Sequence, residues 1–272
     1  MDNKFLDRLI HGDCFEVFPR LAEAGVTVDA AIADIPYGGE TRADWDIAFP
    51  LDKMWEHLRS VVKPSGAVVL FGNEPYSSRV RLSNESEYRY DMKWVKNRAT
   101  GFANANYRPM RRYEDIMVFS QANASAGGKA KAMQYYPQGL VEVNIEKKNK
   151  KNRKGLIQIG NANVGEGNQL AGETSYVQRF TNYPDNVLFF DCEKRYLHPT
   201  QKPLDLMEYL IKTFTKEGEC VLDFTMGSGS TCIAASVCGR HFIGIERDEH
   251  WFSVAEERYA SFKSTPIQEM LF

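Results

Sequence analysis

Length, composition and charge exclude several classes of protein. The chain has 272 residues, 43% of them apolar and 26% charged, which is ordinary for a soluble globular protein. That length accommodates one large α/β domain with a sizeable insertion, or two small domains. The formal net charge is -2, so any nucleic-acid surface must be a local patch rather than the whole molecule.

We also expect no secretion, membrane insertion or metal binding. The first residues lack the basic stretch and apolar core of a signal peptide, and no apolar run is long enough to span a bilayer. The five cysteines form no Cys-x-x-Cys pair, and the histidines show no metal-ligand spacing. These patterns predict free thiols in a reducing cytoplasm, no disulfide and no metal.

Up to residue 121 the apolar pattern predicts alternating strands and helices. Strands are predicted at Val28–Ala33, Ala67–Phe71, Met92–Val95 and Asp115–Phe119, and a helix is predicted between Leu51 and Val62. From 122 to about 185 the chain is rich in Asn, Gly, Gln and Lys and has no sustained periodicity. This second stretch is typical of an insertion of loops and short strands.

Regular structure is predicted to return after residue 203. A helix face recurs from Met207 to Phe214, with Pro203 suited to the first turn. Strand Cys220–Asp223, a glycine-rich turn, a helix of small residues, strand His241–Glu246 and a last helix follow. Alternating strands and helices predict a mostly parallel sheet covered on both faces, in which ligands bind beyond the carboxyl ends of the strands.

The segment Asp34-Ile35-Pro36-Tyr37 follows the first predicted strand directly. A carboxylate and a backbone carbonyl that accept the two N–H bonds of an aromatic amino group make its nitrogen tetrahedral and its lone pair available to an electrophile. Asp34 supplies the first acceptor, the carbonyl of Ile35 the second, Pro36 a rigid turn and Tyr37 a face for stacking. The alternative is an Asx turn followed by a surface tyrosine.

A glycine-rich turn follows the strand at Cys220–Asp223. Glycines let the backbone turn sharply and approach a ligand, and the helix start that follows offers free N–H groups. Glu246 ends the next predicted strand, where its carboxylate can accept both hydroxyls of a ribose. Cys232 stands where a dinucleotide fingerprint has a small third residue, so the match to that pattern is imperfect. The alternative is a purely structural turn.

Together these segments resemble the DNA amino-methyltransferases, whose motif is Asp/Asn/Ser-Pro-Pro-Tyr and whose methyl donor is S-adenosylmethionine. Residues 34–37 fill the motif with one departure, Ile35 for the first proline, and isoleucine has the same backbone carbonyl. Residues 223–231 resemble the cofactor turn of the family. His-Pro-Thr-Gln-Lys-Pro at 198–203 resembles the segment before that turn in the circularly permuted β-type branch, in which the tetrapeptide comes first and the cofactor strand last.

The resemblance implies a fold and a domain organisation. The expected fold is a Rossmann-like α/β methyltransferase, circularly permuted, with a mostly parallel twisted sheet and helices on both faces. The expected parts are a catalytic half at 1–121, a target-recognition insertion at 122–190, a cofactor-binding half at 191–263 and a tail at 264–272. The family also implies that the target base is flipped out of the duplex, at a cost of roughly a few kcal/mol.

The resemblance further implies residue roles. The expected catalytic residues are Asp34, Ile35, Pro36 and Tyr37. The expected S-adenosylmethionine-binding residues are Asp13, Lys202, Asp223, Phe224, Gly227, Ser228, Gly229, Thr231 and Glu246. Phe224 and Tyr37 offer aromatic faces that suit a sulfonium cation.

The expected DNA contact is a basic run within the insertion, where six of eight residues are basic. These residues are Lys147, Lys148, Lys150, Lys151, Arg153 and Lys154. Such a run neutralises phosphates of double-stranded DNA without reading its sequence, and the alternative is a solvated loop. Two further partners are expected: a second copy of the chain, and a replication sliding clamp that binds Gln268–Phe272. The tail resembles clamp-binding peptides, and the alternative is a tail that packs on its own domain or on a dimer mate.

Function is therefore predicted as methyl transfer to the 6-amino group of adenine in DNA, in the cytoplasm of a bacterium and encoded by the host, a prophage or a phage. Asp34 favours adenine, because cytosine-N4 enzymes of the family more often carry serine at this position. Transfer to the 4-amino group of cytosine, a catalytically inactive DNA-binding relative, and methylation of RNA or of a protein glutamine stay open as alternatives. The recognised DNA site and the presence of a partner restriction enzyme are not readable from the sequence.

Overall fold

A computed structural model of the chain describes residues 4–38, 49–125, 132–148, 158–159, 162–163, 175–193 and 201–264. The contacts between residues divide the chain into two compact units. The first consists of Met1–Tyr136 and Asn186–Phe272, and the second of Pro137–Asp185. The second unit falls within the range 122–190 in which an insertion is expected.

The described residues contain twelve strands and six α-helices. The strands in chain order are β1 (Arg8–His11), β2 (Val28–Ala33), β3 (Val62–Gly72), β4 (Tyr88–Thr100), β5 (Arg111–Phe119), β6 (Val141–Lys148), β7 (Gln158–Ile159), β8 (Ala162–Asn163), β9 (Ser175–Thr181), β10 (Val187–Phe189), β11 (Cys220–Asp223) and β12 (His241–Glu246). The helices are α1 (Cys14–Glu23), α2 (Leu51–Val61), α3 (Tyr76–Ser83), α4 (Leu204–Phe214), α5 (Ser230–Val237) and α6 (Glu249–Ser264).

One sheet organises the first unit, with the strand order β1-β12-β11-β2-β3-β5-β4-β10. The strands from β1 to β3 in this order run parallel to their neighbours, β5 runs antiparallel to β3 and β4, and β10 runs parallel to β4. This arrangement confirms the predicted α/β fold with a mostly parallel sheet. The strands predicted at Val28–Ala33, Cys220–Asp223 and His241–Glu246 match β2, β11 and β12.

Helices cover both faces of the sheet. Side chains of α1, α2 and α3, such as Phe18, Met54 and Val80, pack with one apolar cluster. Side chains of α4, α5 and α6, such as Leu210 and Ala255, pack with the other. A strand buried on both faces has to be largely apolar, and this explains the apolar run Ala30–Ala33 of β2.

The placement of β2 and β11 brings distant segments of the chain together. Val221 and Leu222 of β11 pair in parallel with Ala30 and Ala31 of β2, so the two carboxyl ends lie side by side. From β11 the chain continues through α5 to β12 on one side, whereas from β2 it continues through α2 to β3 on the other. This reversal is a topological switch point, the place where open α/β sheets bind ligands.

The second unit contains a strand pair of its own. Strand β6 pairs antiparallel with β9, and the two-residue strands β7 and β8 pair with each other. Lys147 lies in β6, opposite Tyr176, and is exposed.

Several properties of the described residues bear on the expected chemistry. All five cysteines are free thiols, and four of them are buried. The His, Cys, Asp and Glu side chains in the described ranges form no group of three that suits a metal ion. Among the helices of these ranges, none is both long enough and apolar enough to cross a membrane.

Candidate active site

A cavity of about 400 Å³ lies at the carboxyl ends of the parallel strands in the first unit. Its wall combines the residues that follow β2, β11 and β12, the start of α1 and the residues just before α4. The predicted site residues among those lining it are Asp13, Asp34, Pro36, Lys202, Asp223, Phe224, Gly227, Ser228, Thr231 and Glu246. The predicted catalytic carboxylate and the glycine-rich turn therefore share one cavity.

Asp34 directly follows β2 and accepts three hydrogen bonds. Its Oδ1 accepts a hydrogen bond from the Tyr37 hydroxyl at 2.9 Å, and its Oδ2 accepts one from Lys202 Nζ at 2.6 Å. The Thr225 hydroxyl donates to the backbone carbonyl of Asp34 at 3.2 Å. Thr225 belongs to the glycine-rich segment, so this bond joins the two motifs directly.

The other residues of the tetrapeptide contact different parts of the structure. Ile35, which stands where the family has proline, is 1% exposed and packs in the apolar core. The Tyr37 ring lies 5.0 Å from the ring of Tyr76, centroid to centroid. Within the tetrapeptide, Asp34 and Pro36 line the cavity, whereas Ile35 and Tyr37 do not. The structure thus separates the tetrapeptide into cavity-facing and core-facing positions.

The environment of Asp34 favours its neutral form more than water does. Burial raises the pKa of this carboxyl, the nearby Lys202 ammonium lowers it, and the Glu114 carboxylate raises it. The net result is a pKa above the usual range of an aspartic acid. Such a carboxylate is a stronger hydrogen-bond acceptor than an exposed one.

Lys202 lies between two carboxylates. Its Nζ is 2.6 Å from Asp34 Oδ2 and 3.2 Å from Glu114 Oε2, and it lies 4.7 Å from the centroid of the Phe71 ring. Lys96 pairs with the other oxygen of Glu114. Burial lowers the pKa of Lys202, but the two carboxylates raise it by more, so the net shift is upward. The sequence interpretation assigned Lys202 to the cofactor; the structure places it in the cavity wall, against Asp34.

Glu114 and Lys96 were missed by sequence reasoning. Both lie in the β4–β5 hairpin, and their side chains are only 12% and 13% exposed. Glu114 directly precedes the predicted strand Asp115–Phe119, and no spacing or motif distinguishes it from any acid at a strand start. Only pairing of the strands brings it to Lys202.

Two glycines shape the glycine-rich turn and the neighbouring strand β12. Gly229 has a φ of +80°, in the left-handed region that favours glycine, and a Cβ there would lie 3.2 Å from the Cβ of Ala255. Gly244 of β12 allows close approach instead, since a Cβ there would lie 2.5 Å from both Cys232 Sγ and Met226 Sδ. A dinucleotide fingerprint makes this space with a small third residue in the turn. In this chain the third residue is Cys232, and Gly244 on the facing strand leaves the space instead.

Arg258 of α6 braces the same turn. Its Nη1 donates to the carbonyl of Ser228 at 2.5 Å and contacts the hydroxyls of Ser228 and Ser230 at 3.0 Å and 3.3 Å. Burial lowers the pKa of this arginine. The bond to a backbone carbonyl fixes the path of the turn without using its N–H groups.

Two acids face the cavity from β11 and β12. Asp223 accepts from the Thr225 N–H at 3.1 Å and from the Thr231 hydroxyl, and burial raises its pKa to about 7. Glu246 accepts from the N–H groups of Gly227 and Asp248, both at 2.8 Å. Burial raises the pKa of Glu246 as well, while these bonds oppose the shift. Each carboxylate oxygen has a further lone pair, so Glu246 can still accept from a ligand hydroxyl.

The remaining wall of the cavity is largely aromatic. Phe15, Phe49, Phe224 and Trp251 line it. Asp13 also lines it and caps α1, accepting from the Phe15 N–H at 2.8 Å. These side chains fit the parts of S-adenosylmethionine. An acid can accept hydrogen bonds from the ribose, aromatic rings can pack against the purine, and carboxylates can balance the positive charge.

Some predicted site residues lie elsewhere or outside the described part. Lys147 is in the second unit, and Lys148 ends β6 with a side chain outside the description. The rest of the basic run (Lys150, Lys151, Arg153 and Lys154), the residues 198–200 and the tail Gln268–Phe272 also lie outside the described residues.

Comparison with known families decides the class of protein. The family model N6_N4_Mtase, described as DNA methylase, matches residues 28–257. The chain belongs to this DNA methylase family. Its members transfer methyl groups from S-adenosylmethionine to N6 of adenine or N4 of cytosine, which confirms the predicted family and its methyl donor.

Individual DNA methylases resemble the chain over nearly its full length. The type II methyltransferase M2.DpnII of Streptococcus pneumoniae is 26% identical over 282 aligned residues, covering 94% of this chain and 91% of the relative. The crystal structure of the M1.HpyAVI–SAM complex has a TM-score of 0.59 at 23% identity, covering 92% of this chain and 98% of the other. The cytosine-N4-specific PvuII DNA methyltransferase has a TM-score of 0.59 at 14% identity, covering 95% and 86%. The two structures show that the fold is shared.

Proposed function

We propose that this DNA methylase transfers a methyl group from S-adenosylmethionine to the 6-amino group of adenine in double-stranded DNA, with the base flipped into the cavity. The observation that supports this most is that Asp34 and the glycine-rich turn line the same cavity. A hydrogen bond from the Thr225 hydroxyl to the backbone carbonyl of Asp34 connects the two segments. A flipped base and a methyl donor can face each other only where their two binding sites adjoin.

The residues of the cofactor half bind and orient the donor. Glu246 would accept hydrogen bonds from the ribose hydroxyls, Asp13 would help to hold the adenine, and the turn at Gly227–Gly229 would let the backbone approach the donor. Asp223 and Phe224 would hold the positively charged end of the donor, the first as an acid and the second as an aromatic face. S-adenosylmethionine supplies a methyl group already activated by bonding to a sulfonium.

The tetrapeptide prepares the nucleophile. Asp34 accepts one N–H of the adenine amino group, and the carbonyl of Ile35 accepts the other. These bonds turn the nitrogen lone pair out of the ring and toward the methyl. The N–C bond forms while the S–C bond breaks, with its electron pair going to sulfur. The nitrogen then loses its extra proton, for which the Asp34 carboxylate is the adjacent acceptor.

Asp34 at the first motif position supports adenine over cytosine as the target. Cytosine presents the same amino geometry, and a neighbour of the same fold is cytosine-N4-specific, so cytosine is the second candidate. Asp34, Pro36 and the cofactor turn meet in one cavity, which argues against an inactive relative.

The second unit, with Lys147 exposed on β6, would carry target recognition and phosphate neutralisation. A homodimer, a sliding clamp bound at Gln268–Phe272, a cytoplasmic location and phage or prophage origin stay predictions.

Methyl transfer from tritiated S-adenosylmethionine tests the proposed substrate class. We expect label in double-stranded DNA of mixed sequence, and none in RNA or in protein glutamine. Digestion of the DNA to nucleosides should place the label in N6-methyladenine. Label in N4-methylcytosine would assign the second candidate, and label only in RNA or protein would refute the proposal.

A further inference from the structure

Asp34, Lys202, Glu114 and Lys96 form a chain of alternating charge along one wall of the cavity. The two carboxylates and two ammonium groups balance, and their side chains are no more than 18% exposed. Buried charges interact strongly because little water screens them, so the position of each one affects its neighbours.

The ammonium of Lys202 is shared unequally. It lies 2.6 Å from Asp34 Oδ2 and 3.2 Å from Glu114 Oε2. The longer contact is an ion pair without the alignment of a hydrogen bond, since Glu114 Oε2 is among the described buried oxygens that lack a hydrogen-bond partner. Glu114 thus has capacity for a bond that Lys202 does not yet make.

Asp34 already accepts one hydrogen bond on each carboxylate oxygen before any base arrives. Tyr37 bonds to Oδ1 and Lys202 to Oδ2. An amino group that bonds to a remaining lone pair of Asp34 therefore competes with the Lys202 ammonium for the negative charge of the carboxylate. A second acid beside Lys202 lowers the cost of that competition, because the ammonium can shift toward it without losing its charge partner.

We propose that Glu114 is a positioning residue for methyl transfer: it shares the Lys202 ammonium with Asp34 and takes it over when the amino group of the base reaches Asp34. Lys96 holds Glu114 in place from the other side. This inference rests on the proposed function, because it assigns the competing ligand of Asp34 as the base.

The two neighbours of Asp34 should act on it with opposite sign. Loss of the Glu114 charge leaves the ammonium entirely on Asp34 and removes a repulsion, which lowers the pKa of Asp34. Loss of the Lys202 charge leaves two carboxylates together, which raises it. The other charged or titratable groups near Asp34 are the same in both variants. They are Tyr37, Asp223 of β11, Glu246 of β12, and Lys96, which pairs with Glu114.

Titration of the Asp34 carboxyl by NMR tests this without DNA or methyl donor. Protein labelled with carbon-13 at aspartate carboxyls is compared as wild type, Glu114→Gln and Lys202→Met, with the Asp34 signal assigned by its loss in Asp34→Asn. We expect a lower pKa in Glu114→Gln and a higher one in Lys202→Met. If Lys202→Met does not fold, Lys96→Met serves in its place, since it draws Lys202 toward Glu114 and raises the pKa of Asp34.

The rate of transfer completes the test. Glu114→Gln should slow single-turnover methylation at pH 7 by roughly 10-fold to 100-fold, because Lys202 then stays paired with Asp34 when the base arrives. The affinity for S-adenosylmethionine should not change. In the Lys202→Met background the same change should have little further effect. Glu208→Gln is the matched control, because it removes the acid of a surface ion pair with Lys212.

Each outcome discriminates. Opposite pKa shifts with a slowed Glu114→Gln support the proposal. Shifts of the same sign, no shift, or a Glu114→Gln variant as fast as wild type overturn it. A wild-type protein that shows the titration but methylates no DNA contradicts the proposed function, because the titration needs neither substrate.

Discussion

Replacing Asp34 by asparagine should slow single-turnover methyl transfer by about 10²-fold to 10⁴-fold, the range expected when a positioned proton acceptor is lost. Asparagine keeps the shape of the side chain but offers one neutral oxygen to the amino group in place of a carboxylate. The NH₂ group that replaces one carboxylate oxygen cannot accept the hydrogen bond that Tyr37 or Lys202 donates there. Affinity for S-adenosylmethionine should change little, because the ribose and purine contacts lie on other strands.

Two measurements separate these effects. Rapid-quench methylation with enzyme in excess over DNA gives the rate, and calorimetric titration gives the affinity for the donor. Asp205→Asn, at an exposed position in the first turn of α4, is the control and should behave as wild type. A rate for Asp34→Asn within about 10-fold of wild type would remove Asp34 from the chemistry.

Replacing Gly244 by valine should lower the free energy of unfolding by about 3 kcal/mol. Its Cβ would lie 2.5 Å from Cys232 Sγ and from Met226 Sδ, and 3.2 Å from Leu9 Cδ2. Gly244 lies in β12, which pairs with β1 and β11 on either side, so the backbone has little freedom to move. The strain passes to Met226 and α5, so donor affinity should fall together with stability.

Urea denaturation of wild type and variants measures this effect. Gly244→Ala should be destabilised less than Gly244→Val, and adding Cys232→Ala should restore part of the loss because it removes one of the two sulfur contacts. The partial rescue is the internal control, since general weakening of the sheet would make the two changes additive. Additive losses in the double variant would show that the close approach is not the cause.

Sequence patterns predicted those parts of the fold that are buried on both sides. Strands β2, β11 and β12 are short, almost wholly apolar runs, and their bounds agree with the prediction. Strand β1 was not predicted because it lies at the edge of the sheet, where its pattern is mixed. Helix α1 was not predicted either, and it contains Pro19, a residue that normally argues against a helix interior.

The candidate site was predictable to the extent that it follows from strand ends. Asp34, Asp223 and Glu246 each lie at or just after the carboxyl end of a parallel strand, so locating the strands also locates these side chains. Glu114 lies near the start of an antiparallel strand and meets Lys202 only through long-range pairing. No local pattern encodes such a meeting, and the same holds for the space that Gly244 leaves for Cys232.

Mass spectrometry of nucleosides from host DNA tests the central claim most directly. DNA is taken from cells that express the wild-type chain, the Asp34→Asn variant or neither, and is digested completely. N6-methyladenine should rise above background with the wild-type chain alone. A rise of N4-methylcytosine in place of N6-methyladenine, or equal N6-methyladenine with the Asp34→Asn variant, would contradict methylation of adenine through the Asp34 carboxylate.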